Sequence, residues 1–172
     1  MKLPEDYIAG FVDGGEGCFA LKHQKEVKYK RRNQPVYYRW SAEFVISLRK
    51  DDADLLQLIK NTLGYGNITF TKKNARFQIS DIEVLYKKII PFFIKHPLYG
   101  KKQYDFKLWS EAVGIIYKNK KKRVNIKRGQ YGFIKVSWNR NDLRRLNQIR
   151  SEMRKYKSKG LPFKWSPPYS II

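Results

Sequence analysis

Cysteine occurs once in the 172 residues, at Cys18. One thiol can neither staple the fold internally nor build a Cys-rich zinc site. Histidine occurs twice, at His23 and His96, too few for a His-based metal cluster. Acids are scarce as well. Fifteen Asp and Glu stand against 37 Lys and Arg, a formal net charge of +22. A chain with this balance is expected to meet a polyanion, either nucleic acid or an anionic membrane surface. No run of ~18 apolar residues is present to span a bilayer. The opening Met1-Lys2-Leu3-Pro4 does not read as a secretory signal. No Gly/Ser-rich linker divides the sequence. Apolar side chains, by contrast, are plentiful: 42% of residues are hydrophobic and 15% aromatic, and their periodic spacing excludes a disordered chain. The expectation is an intracellular, folded, nucleic-acid-binding protein, with no membrane partner.

The periodicities give an order of elements. Residues 4–13 read as a short helix, with Pro4 in the first turn, Glu5 and Asp6 at the positive end of the dipole, and Gly14-Gly15 as the stop. Residues 17–30 and 37–48 alternate as strands, joined by the basic turn 28–35. In the second strand Tyr38, Trp40, Ala42, Phe44, Ile46 and Leu48 share one face, while Arg39, Ser41, Glu43 and Ser47 share the other. Residues 51–63 return to helical spacing, with Asp51 or Asp52 as the cap and Gly64 as the end. A hairpin is expected over 66–72 and 75–80, turning at Lys73-Asn74. Asp81 then caps a helix that Pro91 interrupts, and a further helix covers 101–118. The basic run from Lys118 to Arg128 reads as a loop, and Asn139 or Asn141 opens a last helix carrying Leu143, Leu146, Ile149 and Met153. The fold class is α+β, an antiparallel sheet with helices on one face. Residues 1–118 are expected to form the working domain, and residues 119–172 a basic extension packed on it.

The wet faces of the strands are polar and nearly free of acids. Lys22, Gln24, Lys28, Arg39, Ser41, Asn67, Thr69, Thr71, Arg76 and Gln78 would project from one sheet surface. Forked and amide side chains can pair with base edges in a major groove, while Lys mainly holds phosphates. The aromatics Phe19, Trp40, Phe44, Phe70 and Phe77 fall on the opposite face. That argues against single-strand binding by base stacking, which needs aromatics on the binding surface.

The segment Tyr7-Ile8-Ala9-Gly10-Phe11-Val12-Asp13-Gly14-Gly15-Glu16-Gly17-Cys18-Phe19 resembles the defining motif of the LAGLIDADG homing endonucleases. Phe44 to Leu56 is similar to the strand-to-helix junction of that family. Ile90 to Lys102 is similar to the segment that leads into its basic residue. The resemblance covers residues 7–118 and implies a fold of order αββαββα, with a four-stranded antiparallel, saddle-shaped sheet lying in the DNA major groove. It implies an intron-encoded, site-specific endonuclease that hydrolyses both strands with a divalent metal, Mg²⁺. One motif per chain implies a homodimer on a near-palindromic duplex. Ile8, Ala9, Gly10 and Val12 are then assigned to the helix–helix contact, Glu16 to the metal, and Lys102 to the scissile phosphate. Asp13 is a structural group or a secondary ligand. Leu48 stands where the family often has Gln, so either Arg49 takes over that contact with water or the contact is missing.

The motif departs from the family in one respect. Two residues, Gly14 and Gly15, separate Asp13 from the acid instead of one. Read without a gap, Gly15 occupies the metal position and the carboxylate is lost. Read with Gly15 inserted, Glu16 is the acid and Glu16-Gly17-Cys18-Phe19 fits. The inserted reading is adopted. The alternatives are a maturase-like protein that binds intron RNA, and a DNA-binding relative that no longer cuts. Cys18 is expected in the core, and His96 in a turn before Pro97.

Overall fold

The computed structural model describes residues 1–26, 37–121 and 138–157. The basic turn 28–35 with Lys28, the apolar stretch 133–136 and the segment 160–172 lie outside these residues. Helix α1 (Glu5–Phe11) runs through a turn (Val12–Glu16) into β1 (Gly17–Glu26). Strand β2 is Tyr37–Arg49, and α2 is Ala53–Leu63. The hairpin is β3 (Asn67–Phe70) and β4 (Asn74–Ile79). Three linked helical pieces follow: α3 (Ile82–Val84), a wide turn (Leu85–Ile89), and α4 (Ile90–Lys95) with Pro91 near its start. The longest helices are α5 (Lys102–Lys121) and α6 (Arg140–Lys157).

The strands form one antiparallel sheet in the order β1-β2-β4-β3. Register explains why one face is core. Phe19 pairs with Phe44 and Leu21 with Ala42 across β1 and β2, and Phe44 with Ile79 and Ile46 with Phe77 across β2 and β4. Side chains opposite one another in a ladder lie on the same face, so these apolar rows coincide. The helices cover that face. Phe19 is the meeting point, with its ring 5.0 Å from Trp109 of α5, 5.3 Å from Phe93 of α4 and 5.5 Å from Phe44. Trp109 is fully buried and satisfies its indole by donating to the Ala20 carbonyl at 3.2 Å. Burial of one such side chain contributes about 1.5–3 kcal/mol.

Several local expectations change. Neither Asp51 nor Asp52 caps α2 with its side chain. Asp51 instead accepts a two-pronged contact from Arg49 (3.1 and 2.7 Å), which occupies the guanidinium proposed for the water contact. Strand β3 ends earlier than expected because Thr71 turns: its amide and its hydroxyl both donate to the Asn74 carbonyl, and the Asn74 amide donates back to the hydroxyl. Asp81 does cap, accepting from the Glu83 and Val84 amides. Helix α5 runs four residues into the basic stretch, to Lys121. Asn119 is buried there and donates to the Ile115 carbonyl and to Asp142 of α6. Leu146, Ile149 and Met153 join α6 to the core. Phe70 and Tyr38 share the core side by register but are exposed. Cys18 is exposed on the other face, because it alternates with Phe19.

Two features hold α1 in place. Leu3 donates its amide to Thr62 of α2 at 2.8 Å. His96, at the end of α4, is buried with both ring nitrogens against carboxylates: Nδ1 on Asp6, and Nε2 on Glu5 at 2.9 Å. An imidazole flanked in this way must carry both protons. The Asp6 contact, aided by Glu5, raises its pKa. Glu5 is lowered by Lys95 and then by His96.

A His whose folded pKa lies above its unfolded value stabilises the fold below the unfolded pKa of about 6.5, and this contribution is lost as pH rises through the folded pKa. The unfolding midpoint is therefore expected to fall over that alkaline window. His96→Gln should lower the midpoint at mildly acidic pH and flatten the decline, read by circular dichroism melts across pH. A second outcome concerns Gly15, whose φ is +133° and whose added Cβ would meet nothing within 4 Å. Gly15→Ala should cost about 1–3 kcal/mol from backbone conformation alone, measured by urea unfolding.

Candidate active site and nucleic-acid interface

The turn Val12–Glu16 is wider than an α-turn and takes up one more residue, as i→i+5 turns do. Gly15 closes it in a conformation that L side chains rarely adopt. The chain then enters β1 at Gly17, where a Cβ would stand 2.6 Å from Val12. Glu16 emerges on the surface. The wide turn thus takes up both glycines between helix and strand, and Glu16 stands exposed just before β1.

Asp13 is directed elsewhere. Its Oδ2 accepts the Tyr99 and Gly100 amides at 2.7 and 2.8 Å. Its Oδ1 is buried with no hydrogen-bond partner, against Gly100, where a Cβ would come within 2.7 Å. Asp13 fastens the loop before α5 to the end of α1. Lys102, in the first turn of α5, crosses the same gap. Its Nζ donates to the Gly15 carbonyl at 2.8 Å and to the Gly17 carbonyl. An exposed carboxylate and an ammonium, distant in sequence, are therefore brought to one turn.

The donors suit a hard cation in kind, since Mg²⁺ takes oxygen ligands, but are too few in one chain. Among the described residues no group of three His, Cys, Asp or Glu could hold a metal. Glu16 is the one open carboxylate on this turn, because Asp13 is turned inward.

The assigned helix contact needs correction. Ile8, Ala9 and Val12 are buried in the core of their own chain, and of the four residues assigned only Gly10 is open. Helical spacing places Tyr7, Gly10, Phe11 and Gly14 on the outward stripe. Tyr7 and Gly14 are exposed with Gly10, Phe11 is half-buried, and the rings of Tyr7 and Phe11 stack at 6.1 Å.

Most of the assigned binding residues share the wet face. Ladder pairs place Gln24 opposite Arg39, Lys22 opposite Ser41, Gln78 opposite both Val45 and Asn67, and Arg76 opposite both Ser47 and Thr69. Thr71 is the exception, as its hydroxyl closes the hairpin. Glu43 is also on this face, buried to 9%, and holds Lys22 Nζ at 2.6 Å and Arg76 Nη2 at 3.3 Å. Alternation alone placed Glu43 there without identifying its partners. On α6, Arg145 is engaged by Glu111 at 2.6 and 2.7 Å. Arg150 and Arg154 line a groove with Lys22 and Gln24 at the β1 edge, so the basic surface continues around that edge. Burial, reinforced by Arg150, lowers the pKa of His23, which stacks on Trp40 at 4.4 Å.

The family description "LAGLIDADG endonuclease" matches residues 8–113. The chain is 32% identical over 121 residues to "Probable intron-encoded endonuclease 2" of Neurospora crassa, covering 69% of this chain and 25% of that protein. It is 26% identical over 126 residues to "Homing endonuclease I-ApeII" of Aeropyrum pernix, covering 71% of this chain and 70% of the relative. The chain spans about a quarter of the length of the first curated relatives it matches. Among solved structures, the homing endonuclease I-TnaI superposes with a TM-score of 0.60 at 27% identity, over 90% of this chain and 100% of the other. I-SmaMI, solved on an uncleaved DNA target with calcium ions, superposes with a TM-score of 0.69 at 24% identity, over 90% of this chain and 46% of the other. Among the described residues no helix is long and apolar enough to cross a membrane. With the motif turn, the order of the elements and these matches in agreement, the chain belongs to the LAGLIDADG endonuclease family.

Proposed function

We propose that the protein is a homodimeric, Mg²⁺-dependent, site-specific endonuclease of double-stranded DNA, encoded in an intron. The observation that carries this reading is the turn at the end of α1, where Lys102 Nζ donates to the Gly15 and Gly17 carbonyls on either side of the exposed Glu16. The outward stripe of α1 seats a second copy, so that two such turns face the two strands of a near-palindromic duplex. The Glu16 carboxylates of the two chains would then hold the divalent metal. When bound, the metal neutralises charge on the phosphate and makes water nucleophilic near neutral pH.

The remaining steps belong to the chain itself. The wet sheet face lies in the major groove and sets the register of the duplex. Arg150 and Arg154 hold backbone phosphates beyond the β1 edge, as the basic extension 119–172 adds to the working unit 1–118. Lys102, fixed by two carbonyls, keeps its charge beside the scissile phosphate as negative charge grows there. Asp13 keeps Lys102 in place by closing the preceding loop.

Cleavage of a supercoiled plasmid bearing the intron-insertion sequence tests the chemistry. Glu16→Gln should abolish cutting and leave duplex binding unchanged, and Lys102→Ala should slow cutting about 10²-fold with little change in binding. Equal losses of binding and rate for Lys102→Ala would make it one phosphate contact among many. A Glu16→Gln variant that cuts like the parent would overturn the metal assignment. For the dimer, Gly10→Leu is informative because a Cβ at Gly10 meets nothing within 4 Å in its own chain. It should shift the sedimenting species from dimer to monomer while the monomer keeps the parent's circular dichroism spectrum.

A further inference from the structure

Glu43 is an anomaly on its surface. Acids repel phosphates, and the chain carries +22 of charge. Yet this carboxylate stands midway along β2 on the wet face, with its side chain only 11% exposed. It is doubly engaged, by Lys22 from β1 and Arg76 from β4. The register shows how far Arg76 leans. It stands opposite Ser47, so to meet Glu43 its guanidinium reaches past Val45, which is itself buried. Arg76 Nε is buried without a hydrogen-bond partner, while the side chain as a whole remains 41% exposed. The open part of the fork is therefore its outer end. One Nη2 hydrogen is held by Glu43, and the Nη1 edge is left for the groove.

The geometry points to Glu43 as a positioning residue for base recognition: it buttresses Arg76 so that the guanidinium presents its outer edge to guanine in the major groove. This rests on the proposal that duplex DNA is the partner. An Arg fork pairs with guanine O6 and N7, and such a pair discriminates by about 1–3 kcal/mol against a wrong base, or about 5- to 150-fold. An unbuttressed Arg would instead sample many rotamers and settle on the nearest phosphates, which carry no sequence information. Lys22, anchored by the same carboxylate, is likewise withheld from non-specific contacts. Glu43 thus exchanges general affinity for selectivity.

The test uses full-length protein and a library of DNA duplexes with a randomised core, bound in EDTA so that binding is read without cutting, then recovered and sequenced. The parent should enrich guanine at one position of each half-site. Arg76→Ala should erase that preference and no other. Glu43→Gln, nearly isosteric, should weaken guanine enrichment at the same position by about 5- to 150-fold. It should also bind random duplex more tightly, with a salt slope steeper by about 1–2 as Lys22 and Arg76 turn to phosphates. The double variant should match Arg76→Ala alone, and Glu43→Asp should keep the preference in part. If Glu43→Gln fails to fold, Glu43→Asp replaces it: the charge stays on a shorter stem, and guanine enrichment should fall at that position and no other. Unchanged enrichment in Glu43→Gln, or in Glu43→Asp where Glu43→Gln does not fold, would overturn the proposal and leave Glu43 as a structural ion pair. A parent that retains no duplex at all would instead overturn the DNA reading on which it rests.

Discussion

The site depends on the fastening between the end of α1 and the loop that leads into α5. Asp13 holds two amides of that loop, and Lys102 holds two carbonyls of the turn. His96 repeats the arrangement one helix-length away, between Asp6 and Glu5. Hydrogen bonds with an ionised partner are about twice as strong as neutral ones. These contacts hold the motif turn against a helix that begins almost ninety residues later in the chain. They bring Lys102 to the turn that carries Glu16.

The sheet illustrates a different balance. Its core face is held by matched apolar rows and by the Phe19 cluster, which tolerate no slip: a shift of one residue would turn every side chain to the other face. On its wet face Glu43 ties β1, β2 and β4 together, and Thr71 closes the hairpin. Such a surface can change its side chains freely, because few of them support the fold. Selectivity for a nucleic acid can then be altered by exchanging residues on a rigid support.

The turn at Gly15 joins a helix to a strand through a wide loop. Lys102 meets the Gly15 carbonyl in that turn and the Gly17 carbonyl at the start of β1. Val12 stays fully buried beside it. Glycine is required where φ is positive, and both glycines of the doublet have open space around them.

Period-two and period-3.6 patterns were enough to read the order of elements, the α+β class, the core face of β2 and the cap at Asp81, because each depends on neighbours within a few residues. The motif was legible through its resemblance to the family, which a short contiguous run of residues is enough to carry. What only the tertiary structure decided were the long-range partners. Periodicity marks one side of α1 as apolar, but it does not say whether Ile8 and Val12 meet their own core or a second chain. It marks Glu43 as facing outward, but not toward Lys22 and Arg76. His96 looked like a turn residue because its carboxylates lie about ninety positions upstream. A side chain's face is determined by local geometry, whereas its partner depends on how distant segments come together when the core closes.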